Sequence, residues 1–436
     1  MPPGWALDLA GRTPPEHECT LYDELVHGPI PTETLKSADL CAIGGLSPSR
    51  GRGYQLADQA RSLGVPVVGG GIDLTGHYLE DPERNGAEIL RHYDAFVYGR
   101  LTRRLWAHVL SLVEKRELRG LLQVEADEPW EDVALRHSLI KPASYVFPRV
   151  IRSSSGCPRQ CGFCAVGLIN GFGCQHPKDP GLLSAELQSL PPGREIVDSA
   201  DACLAGASPK QISDVLGLLR DTGQPWYTET MVEVLLGSEG TPGLLEPMVR
   251  HGCEGFYVGL EDIIYPFNPK QRPVEQVERL IKEIHDRGCK VLGSFVLDGS
   301  RRATEDSIKR TIEWIIHSRL DFVQLSLLAL VPGSPGRVSA LKTNSLLVTN
   351  PRMYDGAWPT IEHQIPPDKR IELLMWGYRQ VYSPLNIARR LGLNVVKQPI
   401  VALANAHIRS SIAKWLPTAT YDYWEAHRHD PTENGG

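Results

Sequence analysis

The chain has 436 residues, 42% of them hydrophobic and 22% charged, which suits two folded domains with a terminal extension and excludes a disordered tract. A formal net charge of -6 offers no basic field to a phosphate backbone, so nucleic acid is excluded as the main substrate and a neutral or cationic small molecule fits better. Met1-Pro2-Pro3-Gly4 is not a basic-then-apolar leader, and no run nears ~18 apolar residues, so the expected protein is cytoplasmic and does not span a membrane.

In chain order, the apolar runs Cys19–Leu25, Asp39–Gly45, Val65–Gly70 and Ala95–Gly99 read as strands, and each of the last three ends in glycine. Tyr54, Ala57, Ala60, Arg61 and Leu63 predict a helix between the second and third, stopped at Gly64. Residues 1–145 are therefore expected to form a small doubly wound, Rossmann-like sheet. It starts abruptly, because residues 1–18 carry neither the apolar strand nor the following helix that usually opens such a domain. A connecting stretch, Glu125–Pro148, leads to Arg149–Cys164.

From there strand and helix alternate. Glu195–Asp198, Trp226–Thr230, Gly255–Gly259, Val291–Leu297 and Phe322–Leu330 read as buried parallel strands. One intervening helix starts at Pro273, shows Val274, Val277, Ile281 and Ile284 on one face, and stops before Gly288. Another follows Thr304, with Glu305 and Asp306 in its first turn. Residues 146–345 are expected to form a partial α/β barrel with its site at the C-terminal ends of the strands. Past Pro332-Gly333-Ser334-Pro335 the chain is loop-rich to about Pro367. It then becomes helical, with Tyr378, Tyr382, Tyr421, Tyr423 and Trp424, so residues 346–436 read as a C-terminal cap.

An odd count of 9 cysteines argues against a disulfide framework and directs attention to spacing. Cys157-Pro158-Arg159-Gln160-Cys161-Gly162-Phe163-Cys164 places three thiols on one short segment. Three thiolates can each hold one iron of a cubane cluster and leave the fourth iron open to the amino and carboxylate groups of a methionine. A structural zinc site completed by Cys174 and His176 fits less well, since such sites usually use Cys-x-x-Cys pairs. A purely electron-transferring cluster would usually take four cysteines. Cys41, Cys253 and Cys289 read as core; Cys174, after Gly171-Phe172-Gly173, lies between loop packing and the cluster.

Cys-x-x-x-Cys-x-x-Cys with an aromatic before its last cysteine resembles the signature of the radical S-adenosylmethionine superfamily. Val67-Val68-Gly69-Gly70-Gly71, Phe96-Val97-Tyr98-Gly99-Arg100, the Gly255–Asp262 segment GFYVGLED, the Val331–Pro335 segment VPGSP and Tyr354-Asp355-Gly356 resemble, in order, its subgroup with an N-terminal cobalamin-binding domain. The resemblance implies a 4Fe-4S cluster on Cys157, Cys161 and Cys164, Phe163 against the adenine, and Glu261 near S-adenosylmethionine or substrate. Ser294 and Gln324 are further strand-based candidates for cofactor contact.

Most of that subgroup transfers methyl groups through cobalamin. The missing opening strand, and Gly70-Gly71-Ile72-Asp73 where the subgroup often has histidine soon after the glycines, point instead to a domain that has lost cobalamin. Relatives of that kind act on sugars in antibiotic pathways. They imply hydrogen abstraction from an aminosugar such as paromamine, followed by loss of water. An external electron donor, and a partner reductase, would then be required. Asp201-Ala202-Cys203 stands where the subgroup commonly has an acidic pair and an asparagine. Cys203 could return a hydrogen atom to a substrate radical or simply fill core space. Asp198 and Asp201 could bind hydroxyls or amines, or cap a loop. Glu229 is expected to be a buried carboxylate in need of a partner such as an aminosugar ammonium. Tyr227 beside it offers a phenol for proton transfer or mere packing.

Overall fold

The computed structural model describes residues 1–125, 128–238, 241–267, 271–392 and 399–429. The chain forms two compact units. Met1–Gln160, Cys164–Thr228 and Val331–Val338 make the first; Cys161–Phe163, Glu229–Leu330 and Ser339–Gly436 make the second. Parts of the expected cap, 393–398 and 430–436, lie outside the described residues.

The first unit opens with α1 (Gly4–Arg12), α2 (Glu24–His27) and α3 (Thr32–Lys36). There follow β1 (Cys41–Gly44), α4 (Arg50–Ser62), β2 (Val67–Gly70), α5 (Ile72–Glu80), α6 (Pro82–His92), β3 (Ala95–Tyr98), α7 (Arg103–Glu114) and β4 (Gly120–Gln123). The strands are all parallel, in the order β1-β2-β3-β4. Alternate side chains feed two cores: Val67 and Phe96 pack with Ala57, Ala60 and Ile89, whereas Val68, Ala95 and Val97 pack with Leu105, Trp106 and Val109 of α7.

This corrects two expectations. The strand order runs one way without the reversal that defines a doubly wound sheet. Cys19–Leu25 is not a strand: the Asp23 carboxylate accepts from the Leu25 amide at 3.1 Å and starts α2, leaving Leu25 98% exposed. In place of an opening strand, the chain lays α1 against β1. A Cβ on Gly44 would meet the Trp5 ring at 2.9 Å, and Trp106 Nε1 donates to Thr13 Oγ1 at 2.8 Å. Asp8, held low in pKa by Arg152 and Arg12 against the opposing effect of burial, ties the helix to the residue after the first barrel strand.

The rest of the first unit holds β5 (Val150–Ile151), β6 (Ser154–Gly156), α8 (Gly167–Asn170), β7 (Gln175–Pro177), α9 (Pro180–Gln188), β8 (Ile196–Asp198), α10 (Pro209–Asp221) and the first three residues of β9 (Trp226–Thr230). β5, β8 and β9 are parallel neighbours, and β6 and β7 form an antiparallel hairpin. The VPGSP segment closes on α5: a Cβ on Gly76 would lie 2.3 Å from the Pro332 carbonyl oxygen, and Arg337 pairs with Glu80.

In the second unit, strands Cys253–Glu261, Lys290–Val296 and Phe322–Ser326 are parallel neighbours. Helices Val274–Asp286 and Glu305–His317 connect them, the latter opened by a Thr304/Ser307 capping box. The last strand stops at Ser326 rather than the expected Leu330. The Leu327 amide bonds to the Gly356 carbonyl at 2.7 Å and the Leu328 amide to the Asp298 carboxylate at 2.6 Å, so neither continues the ladder. Helix Pro367–Val381 closes that strand's edge: the Tyr378 and Tyr382 hydroxyls each donate at 2.6 Å, to the carbonyls of Leu325 and Val323, and accept from the same residues' amides at 3.2 Å.

Candidate functional site

The three motif cysteines lie on the loop that joins β6 to β7. Gly156 enters it with φ +81°, and a Cβ there would lie 2.4 Å from the Cys174 carbonyl oxygen, so only glycine fits. Cys161 is buried, Cys157 and Cys164 are half-buried, and none of the three is in a disulfide. Among the described residues no three histidine, cysteine or acidic side chains are gathered closely enough to hold a metal ion. The cysteines share one stretch, residues 157–166, without helix or strand, so three thiol donors stand on a single irregular segment ahead of α8. Phe163 sits 5.9 Å from the Phe267 ring and packs on Leu328, Leu330, Ala340 and Ile361. His176 bonds to the Asn170 carbonyl at 2.8 Å and stacks on Trp130, and Cys174 is exposed, so neither is arranged as a zinc ligand.

Around the end of β8 lie three of the candidate residues. Asp198 is 1% exposed; its oxygens accept from the Ser153 amide at 2.9 Å and the Ser153 hydroxyl at 2.5 Å. Burial pushes its carboxyl up in pKa, and the Ser153 bonds oppose that shift. Cys203 is 0% exposed, with its thiol 3.8 Å from Ser153 Oγ and burial raising its pKa. Its burial matches the core-filling alternative for this thiol. Asp201 reaches the cysteine loop and accepts from the Gly156 amide at 2.7 Å.

Glu229, expected to be buried, is exposed. Along β9 burial alternates: Trp226, Thr228 and Thr230 are buried, Tyr227 is half-buried and Glu229 is open. The same alternation in the second unit puts Ser294 and Gln324 in register on adjacent strands, with the Tyr257 hydroxyl donating to Gln324 Oε1 at 3.0 Å. Parallel strands are usually apolar on both faces, so these polar, accessible positions depart from that pattern. Tyr257 was not singled out from sequence, although the period of two running back from Gly259 points to it. Glu261 is buried, adopts φ +58° and stands at a register shift between the strands Cys253–Glu261 and Lys290–Val296. A glutamate held in the left-handed region beside a bulge is a device for aiming a side chain or carbonyl.

In the N-terminal sheet, the C-terminal ends of β1 and β2 are filled. Asp73 receives the Ser47 hydroxyl at 2.5 Å and both Arg50 nitrogens, at 2.7 and 2.8 Å; the Arg50 and Asp73 side chains are 7% and 4% exposed. The remaining cavity there, lined by Gly44, Leu46, Gly70 and Asp73, measures about 20 Å³. A larger cavity of about 1590 Å³, lined by Trp5, Leu21, Leu40, Pro66 and Leu118, lies at the opposite ends of these strands and holds no residue of the cysteine loop.

No family model matches the chain. It is 23% identical over 332 residues to the bacteriochlorophyllide d C-12(1)-methyltransferase of Chlorobaculum tepidum, covering 73% of this chain and 69% of that protein. The radical S-adenosylmethionine methyltransferase TsrM from Kitasatospora setae, solved with cobalamin and a 4Fe-4S cluster bound, matches with a TM-score of 0.54 at 13% identity, over 82% of this chain and 81% of that one. OxsB, a cobalamin-dependent S-adenosylmethionine radical enzyme solved with aqua-cobalamin and S-adenosylmethionine, matches with a TM-score of 0.56 at 12% identity, over 85% of this chain and 64% of that one. The chain therefore has the α/β fold of radical S-adenosylmethionine enzymes in which a Rossmann-like domain precedes a partial barrel.

Proposed function

We propose that the chain is a radical S-adenosylmethionine enzyme that works on a small molecule without cobalamin, removing water from an aminoglycoside sugar such as paromamine. The observation that carries the radical reading is the three-thiol loop on this fold. Cys157, Cys161 and Cys164 would hold the 4Fe-4S cluster, which with S-adenosylmethionine bound and an electron from an external donor or partner reductase supplies a 5′-deoxyadenosyl radical. Phe163, fixed by its apolar neighbours, would flank the adenosine, and Glu261 would meet S-adenosylmethionine or the substrate. Tyr227 and Glu229 would hold sugar hydroxyls and an ammonium, since an accessible carboxylate on a strand face pairs with a cation without first being desolvated. Ser294 and Gln324, in register on neighbouring strands with Tyr257 bonded to Gln324, would contact the cofactor.

The filled end of the N-terminal sheet supports the cobalamin-free part: ligands of such folds bind where strand order reverses, and here the order has no reversal while Arg50 and Asp73 occupy the strand ends. A second reading, cobalamin-dependent methyl transfer, is favoured by the names of the curated relatives, which are methyltransferases. Titrating the anaerobically reconstituted protein with hydroxocobalamin, and following paromamine by mass in the presence of S-adenosylmethionine and reductant, separates the two. Loss of one oxygen from the sugar without bound corrinoid supports the dehydration; a tightly bound corrinoid with a methylated product supports the second reading.

A further inference from the structure

We infer that the segment Asp198–Ala207, which follows β8, is a clamp that sets the shape of the cysteine loop, with Asp201 and Gln175 as its positioning residues. The inference rests on the reading of that loop as a cluster site.

The hairpin that carries the loop is short. Its rungs are Ser154↔Pro177, Ser155↔His176 and Gly156↔Gln175, and one of them contains a proline that cannot donate to the ladder. Two strands of this length do not hold a long loop by themselves in water. The missing restraint comes from the segment after β8. Asp198 grips the amide and hydroxyl of Ser153, the residue entering β6. At the rung nearest the cysteines, both partners are gripped. Asp201 takes the Gly156 amide at 2.7 Å, one residue before Cys157. Across the rung, the Gln175 amide group donates to the Ala202 carbonyl at 2.5 Å and to Ser154 Oγ at 3.3 Å, while its oxygen accepts from the Gly206 amide. A Cβ at Gly206 would lie 3.0 Å from Gln175 Oε1, so the two are in close approach. Residues 198–206 thus tie both strands of the hairpin at the mouth of the loop. Asp198 bonds the residue entering β6 and Asp201 the residue leaving it.

Asp201→Ala removes the acceptor and Asp201→Asn keeps an oxygen in its place. In cluster-free protein, amide hydrogen exchange of a peptide covering residues 153–164 should quicken about tenfold in D201A and stay within about twofold of wild type in D201N, with peptides of the second unit unchanged. After anaerobic reconstitution, D201A should retain less than about half of the wild-type iron through gel filtration, and its reduced cluster should give an altered electron paramagnetic resonance line shape on adding S-adenosylmethionine. D201N should restore both. Wild-type exchange and wild-type iron in D201A would overturn the clamp, as would a D201N variant no better than D201A. If D201A does not fold, Gln175→Ala on the opposite strand carries the same comparison. A wild-type protein that takes up no iron would remove the cluster reading, while the exchange measurement on cluster-free protein would still decide whether the clamp exists.

Discussion

Replacing Cys157, Cys161 or Cys164 by alanine should each abolish retention of iron and sulfide after anaerobic reconstitution. Cys174→Ala should leave both at wild-type levels, because Cys174 is exposed and turned to the Phe172 carbonyl. Iron and sulfide assays check this directly. At Asp73 the expectation concerns stability. Asp73→Ala leaves the Arg50 guanidinium buried without its partner, which should cost about 3–5 kcal/mol in urea unfolding of the N-terminal sheet, and a second change, Arg50→Met, should recover much of it. Burial works against the Asp73 carboxylate, but the charge and hydrogen bonds of Arg50 outweigh it and depress the pKa. The unfolded chain therefore takes up the proton first as pH falls, so this stabilisation is present above about pH 4 and is lost below it. The Asp73→Ala variant should show a flatter acid limb in its unfolding curve. The cysteine motif was readable from sequence because spacing along one loop decides it. The burial of Cys203, the Ser153 partner of Asp198 and the exposure of Glu229 were not, because which face of a strand end is covered depends on residues far away in sequence.

At the scale of elements, two glycines carry the packing of the site. Gly156→Ala forces a Cβ onto the Cys174 carbonyl at positive φ, and should cost about 1–3 kcal/mol and loosen iron binding. Gly76→Ala drives a methyl into the Pro332 carbonyl and should lower the melting temperature of the first unit, read by calorimetry, without changing the iron content. Strands β2, β3, β8 and β9 and the helices after Pro273 and Thr304 follow from local pattern: apolar runs closed by glycine, and capping residues at the right offset. The failures also have local causes. Asp23 competes for the backbone and turns Cys19–Leu25 into a helix start. The Asp298 carboxylate and the Gly356 carbonyl intercept the amides that would have carried the last strand on to Leu330. α1 escaped the sequence reading because its apolar residues, Trp5, Leu7, Leu9 and Ala10, match an interface rather than a clear free-standing period.

For the whole molecule, the fold class was legible because strand and helix alternate over most of the chain, and the likeness to TsrM and OxsB confirms it. The strand order of the N-terminal domain was not legible, since no local pattern says on which side of a sheet the next strand lies. That order, together with the Arg50–Asp73 pair, is what the proposal of cobalamin-free chemistry rests on. No helix among the described residues is long and apolar enough to cross a membrane. The most direct test is to reconstitute the protein anaerobically, supply S-adenosylmethionine and dithionite but no corrinoid, and quantify 5′-deoxyadenosine. The nucleoside should accumulate in wild type and vanish in Cys157→Ala; a protein that loads its cluster yet yields none until cobalamin is added would contradict the account.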